Sequence, residues 1–260
     1  MTCTRRVLYV APLFAVGCFA PRQAPVPVIP VRVVAPVPIE ASIQVRVAAW
    51  EKLSTATAGK AVESQAAADV PVLIRRIFDE GIPEGPVDVV FVVDTTGSMT
   101  DDIDAVKRDM RQILDHLRER NPDYRVGVVA YRDIYDDFLT RTYLFLDADE
   151  ARIEAAISAI AVNGGDDWRE HVYAGINTAL STQPWRPDVS QHIILMGDAP
   201  PHDDYHNDPR THESVTTRAQ TSPLHVHIHT IGIKCDQRCE EALAKEAAVR
   251  TSRLEPISGH

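Results

Sequence analysis

From Pro86 onward the apolar positions fall into two alternating textures. Near-continuous runs occur at "VDVVFVV" (87–93), "YRVGVVAY" (124–131), "SQHIILMGD" (190–198) and "HVHIHTIGI" (225–233). Runs of this kind, bounded by polar turns, predict strands buried on both faces. The shorter "YLFLD" (143–147) predicts one more strand. Between them the apolar residues recur every three or four positions. Over 99–120 Ile103, Val106, Met110, Ile113, Leu114 and Leu117 form one stripe, which predicts an amphipathic helix. Asp101, Asp102 and Asp104 lie near its start, where the helix dipole favours negative charge. Further helices are predicted over 149–160, 170–180, 209–220 and 238–250. Strands alternating with helices imply an α/β fold, a doubly wound and mainly parallel central sheet flanked by helices.

Before Pro86 the pattern changes. Residues 40–85 are alanine-rich and predict one or two helices with Pro71 as an interruption, a helical stalk or packing arm without chemistry of its own. Residues 18–39 read as a tether: the segment 19–38 holds six of the 18 prolines, and proline fixes φ and extends the chain. Residues 1–17 carry Arg5 and Arg6 and then the apolar "VLYVAPLFAVG", the order of a signal peptide. Ala15-Val16-Gly17 before Cys18 resembles the bacterial lipobox, which implies lipidation of Cys18. An ordinary cleaved signal beside a chance cysteine is the other reading. A lipid chain anchors a domain to a membrane without a spanning helix. Phe19, where aspartate favours inner-membrane retention, points to an exported protein of the cell envelope held at the outer membrane. No apolar run approaches the roughly 18 residues that span a bilayer.

The chain of 260 residues has a net charge of −10. Loss of residues 1–17 removes two arginines and no acid, leaving 25 basic and 37 acidic residues, a balance of −12. Such a charge argues against nucleic acid, which needs a clustered basic surface. It suits a cation or a basic partner. With Cys18 acylated, Cys235 and Cys239 remain as an even pair; a disulfide is expected in an oxidising compartment, whereas zinc would need more ligands nearby.

Two of the predicted strands run into an aspartate, Asp94 and Asp198. In open α/β sheets ligands bind beyond the carboxyl ends of the strands. In "DTTGSM" Asp94, Thr96 and Ser98 are spaced by two, so an extended turn brings a carboxylate and two hydroxyls to one side. These are hard oxygen donors, suited to Mg²⁺, with Mn²⁺ or Ca²⁺ as alternatives. Gly97 allows close backbone approach. Taken alone, "DTTGSM" also reads as a turn and helix cap.

"DVVFVVDTTGSM" resembles the first motif of the von Willebrand factor type A domain family, Asp-x-Ser-x-Ser after a buried strand, with Thr96 in place of the first serine. "NGGDDWRE" (163–170) resembles the second loop of a subgroup with a Gly-Gly-Gly-Asp-x-Pro-Glu pattern. Asp167 and Glu170 match it; Asp166 replaces a glycine and Arg169 the proline. "ILMGDAPPH" (194–202) resembles the third loop, with Asp198 as its acid, and "YRD" (131–133) is also similar to the subgroup. The resemblance covers about residues 86–256, within a domain taken as 86–260. It implies a metal-ion-dependent adhesion site formed by Asp94, Thr96, Ser98, Asp167 and Asp198, with one position open to an acidic group of a protein partner. Adhesive members carry threonine where Asp167 stands. An added carboxylate neutralises more of the ion's charge, weakens its pull on a partner and favours a structural ion.

The expected function is a membrane-tethered binding module, without catalysis. Alternatives are a metal-dependent hydrolase using the same carboxylates, for which no general base stands out, and an envelope scaffold with a structural or vestigial ion. A covalent aspartate resembling haloacid-dehalogenase chemistry would have an acid at the position of Thr96. Ser98 lacks a Gly-x-Ser-x-Gly elbow. His225, His227 and His229 alternate on one strand, and His202 and His206 stand near Asp203 and Asp204; no known ligand spacing matches. They are read as facing a helix or solvent and as part of a polar surface loop. Trp168 and Trp185 fit core or site rim equally.

Overall fold

The computed structural model describes residues 39–165, 168–202, 205, 207–221 and 223–234. Cys18, Cys235, Cys239, Asp166, Asp167, Asp203, Asp204, His206 and the helix expected over 238–250 lie outside the described residues. The described residues form one sheet of six strands, β1 (Ala61–Glu63), β2 (Val87–Asp94), β3 (Tyr124–Tyr131), β4 (Thr140–Asp147), β5 (Ser190–Gly197) and β6 (Val226–Gly232), in the order β1-β6-β5-β2-β3-β4. All neighbours are parallel except β4, which runs antiparallel to β3 with shifts in register. The helices are α1 (Ile39–Ala56), α2 (Val70–Gly81), α3 (Thr100–Arg120), α4 (Glu150–Ser158), α5 (Val172–Thr182) and α6 (His212–Ala219).

Every residue of β2 is buried, because both faces of the strand are covered. Alternate side chains feed two cores: Val87, Val89, Phe91 and Val93 pack with α2, α3 and α4, whereas Val90 and Val92 pack with α1, α5 and α6. The stripe on α3 is buried as its spacing predicts, and acids open its first turn while Arg118 and Arg120 close its last. Asp149 caps α4 by accepting from the Arg152 N–H, and Thr211 caps α6 with Ser214. Among the described residues no helix is long and apolar enough to cross a membrane.

Residues 40–85 wrap the β6 edge of the sheet. α1 lies on one face with Trp50 and Leu53 buried in the core, β1 pairs with β6, and α2 covers the other face with Ile74, Ile77 and Phe78. Full burial of each such side chain stabilises by about 1.5–3 kcal/mol. Pro71 begins α2 instead of interrupting a helix: a proline in the first turn gives up no intrahelical bond. β1 was not predicted, since three residues carry no period.

Candidate metal centre

The parallel order sets the carboxyl ends of β2 and β5 side by side. Asp94 ends β2 and is fully buried. Its Oδ1 accepts from the Thr96 N–H at 2.9 Å and from Thr96 Oγ1 at 2.7 Å. Thr96 is extended (φ −75°, ψ 164°), and its Oγ1 lies 3.5 Å from Ser98 Oγ. The three donors therefore share one side, as spacing by two predicts. Gly97–Met99 form a single tight turn into α3. Thr95 has another task. Its N–H and Oγ1 both donate to the Tyr131 carbonyl, and Arg132 Nε donates to the Thr95 carbonyl, all within 3.2 Å.

The second loop is stitched to the first through backbone. Asn163 N donates to Thr95 O (3.0 Å) and Gly97 N to Gly164 O (3.2 Å). Gly164 and Gly165 both have φ +86°, and a Cβ on Gly164 would sit 2.0 Å from Asp136 Oδ1, so both positive φ and lack of space demand glycine there. Asp136 in turn accepts from Gly165 N and Asp133 N. The second loop then meets the third: Glu170 N donates to Pro200 O and His202 N to Glu170 O, each at 3.2 Å. Asp198 is buried at the end of β5. A Cβ on Gly197, just beneath, would lie 2.5 Å from the Tyr131 hydroxyl and 3.2 Å from Asp94 Oδ2.

Sequence reading takes "PHDDYHND" as a polar surface loop. The described part is packed instead. His202 is buried, its ring stacks on Tyr205 at 4.2 Å, and the Tyr205 hydroxyl donates to Asp133 Oδ1 at 2.5 Å. His171, whose ring lies tilted against Tyr205 at 5.1 Å, bonds Asp208 at 2.8 Å, and Asp208 is clamped by Arg210. Trp168 is buried, and Trp185 packs partly buried against the core.

Asp94, Asp133, Glu170 and Asp198 thus lie buried at one edge. Asp94 Oδ2 and Glu170 Oε2 have no hydrogen-bond partner among the described residues. Burial first, then the Asp198 charge, pushes Asp94 up to about 8, against the two bonds from Thr96. Burial also raises Glu170 well above the ordinary carboxylate range, with Asp94, Asp133 and Asp198 adding to it. Tyr131, beneath them, is raised by burial and then by Asp94, Glu170 and Asp198. An orphaned carboxylate oxygen, two hydroxyls and further acids fit a hard divalent cation. Among the described residues no three histidine, cysteine or acidic side chains already stand as a ligand set around one point. The donor set is mixed with hydroxyls, and Asp167 lies outside the described residues. Sequence reasoning left Glu170 out of the ligand set. Its signal was its match to the family pattern, three residues beyond Asp167.

Over residues 88–257 the chain matches the von Willebrand factor A domain family. It is 30% identical over 125 residues to alpha-protein kinase vwkA of Dictyostelium discoideum, a match that takes in 46% of this chain and 20% of that protein. Among solved structures, proximal thread matrix protein 1 from the mussel byssus, with a zinc-occupied MIDAS motif, is similar at 18% identity and a TM-score of 0.42, over 63% of this chain and 46% of that one. The SpRpn10 VWA domain is similar at 15% identity and a TM-score of 0.40, over 61% and 94%.

Proposed function

The chain belongs to the von Willebrand factor A domain family, and from that premise we propose a binding module whose divalent-cation site engages a protein partner. Domains of this family are typically interaction modules built on a metal-ion-dependent adhesion site. In this reading Asp94, Thr96, Ser98 and Asp198 hold the ion, with Asp167 and Glu170 from the second loop. Oxygen-only donors favour Mg²⁺, with Mn²⁺ and Ca²⁺ as the other hard candidates. An acidic side chain of the partner completes the coordination. The observation that carries the reading is Asp94 Oδ2, a buried carboxylate oxygen with no hydrogen-bond partner among the described residues and with like charges around it. Leaving such an atom unmatched costs about 1–3 kcal/mol or more, which a bound cation offsets.

Calorimetric titration of the metal-stripped full chain with Mg²⁺ tests this. Binding heat is expected, and none after Asp94→Ala. Equal heats in the two proteins end the proposal.

The module is further proposed to be exported and tethered to the outer membrane through a lipid on Cys18, on the strength of the charged and apolar leader before that cysteine. Labelling with a radioactive fatty acid is expected to mark the chain and to fail in Cys18→Ser. Equal labelling of both, or of neither, rejects the tether.

A further inference from the structure

Sequence reading places the histidines of β6 against a helix or solvent. His229 does lie against the end of α2 and is fully buried there, and so is His192 of the neighbouring β5, which sequence reading did not single out. Their rings stack at 5.2 Å. The hydrogen bonds between them run one way. The Lys60 backbone N–H donates to His229 Nδ1 at 3.1 Å. That nitrogen is therefore unprotonated, and the ring's proton sits on Nε2. His229 Nε2 faces His192 Nδ1 at 2.9 Å, so the latter accepts. The His192 proton is then on Nε2, directed at Ser190 Oγ, 2.7 Å away. All four ring nitrogens are used, and both rings are neutral.

An added proton has nowhere to go in this chain. On His229 it occupies Nδ1 and faces the Lys60 N–H. On His192 it occupies Nδ1 and faces the His229 N–H. The second conflict is relieved only if His229 moves its own proton to Nδ1. Either route ends by breaking the bond to Lys60. The rings have no room to swing, since a Cβ on Gly81 of α2 would already meet His229 Cε1 at 2.6 Å.

Lys60 is the turn between α1 and β1. Its carbonyl accepts from Thr230 N at 2.8 Å, and Ser64 N donates to Gly232 O at 2.7 Å. On the near side Thr57 Oγ1 accepts from Ile228 N, and the Thr57 carbonyl accepts from His227 Nδ1. That last bond survives protonation of His227, because Nδ1–H is already the donor. The Lys60 ammonium faces His229, and the His227 ring stacks on His192 at 5.2 Å. The nearest acid of the segment, Glu63, is bound to Arg46. Burial first, then His227 and Lys60, hold His229 down at about 4, and burial, then the His229 and His227 rings, hold His192 lower still.

We propose that the His192–His229 pair is an acid-operated latch, protonation of which releases the segment Thr57–Glu63 from β6 and uncovers the edge of that strand. Once open, the rings titrate near the ordinary value of about 6.5. Below that pH the open form binds more protons, so opening increases about tenfold per pH unit for each ring that takes one up.

Hydrogen exchange on the full chain at pH 7.5 and 5.0, corrected for intrinsic rates, tests the latch. Lys60, Ser64 and Thr230 amides are expected to lose protection in acid while those of β2 and β3 keep theirs. A double variant, His192→Gln with His229→Gln, replaces each ring by a carboxamide that accepts through oxygen and donates through nitrogen without titrating. Its segment is expected to stay closed at both pH values. Unchanged protection in the wild type, simultaneous opening of β2 and β3, or equal acid opening in the double variant overturns the proposal. If the double variant does not fold, ¹⁵N imidazole titration of the wild type decides. Proton uptake by the pair and opening of the segment are expected at one midpoint, and separate midpoints overturn it.

Discussion

The two ends of β2 carry the same side chain in opposite circumstances. Asp88 and Asp94 are both 0% exposed. Asp88 accepts from Arg125 Nε and Nη2 and from Arg186 N and Nε, at 2.6–2.9 Å. Its charge is spent inside the fold. Asp94 has two bonds on one oxygen, both from Thr96, and its other oxygen lies among acids. Burial of a carboxylate is therefore no mark of a site by itself. What distinguishes this end is a buried carboxylate oxygen with no hydrogen-bond partner among the described residues.

The largest effect should come from the satisfied end. Asp88→Ala leaves two arginines facing a buried gap, and a loss of roughly 3 kcal/mol is expected in denaturant unfolding. A loss below about 1 kcal/mol would instead class Asp88 with exposed ion pairs. The other end should respond to pH, in the direction set by its raised carboxyls. Asp94 and Glu170 are raised above their unfolded values, so they contribute stability at low pH that is lost as pH rises. Below about 6.5 the lowered His192 and His229 work in the reverse direction, losing stability as pH falls. The clean window is therefore pH 6.5–8. There, in chelator, melting is expected to move down with rising pH, by about 1–2 kcal/mol. Mg²⁺ should abolish that slope, because ligation holds the carboxylates ionised, and Asp94→Asn should flatten it without metal. A chelated protein whose melting temperature rises across that window would show that Asp94 is compensated after all.

Most of the sheet was legible because strands buried on both faces must be apolar at nearly every position, as in β2 and β5. The helices were legible because one face of each meets that sheet, so α3 shows its period plainly. The hydroxyls of the first loop were legible as well, since Asp94, Thr96 and Ser98 are local and a spacing of two fixes their side. Less could be read where partners are distant. β1 gains its hydrogen bonds from β6, and the residues flanking it give no sign of that. Glu170 reaches the site only because its backbone is stitched to Pro200 and His202. His192 and His229 touch because β5 and β6 are neighbours, 37 residues apart in the chain.

The sequence alone determined where apolar burial and local turn chemistry act: the α/β alternation, the aspartates ending two strands, and the hydroxyls after the first of them. Those follow from interactions between near neighbours in the chain, where spacing is geometry. Which buried aspartate is matched by arginines and which keeps an unmatched oxygen among the described residues was decided by the tertiary structure. The arginines that satisfy Asp88 come from 37 and 98 residues away, and the acid that most raises Asp94 is delivered by a different strand. Charge compensation depends on distance in space, and only the folded sheet sets that distance.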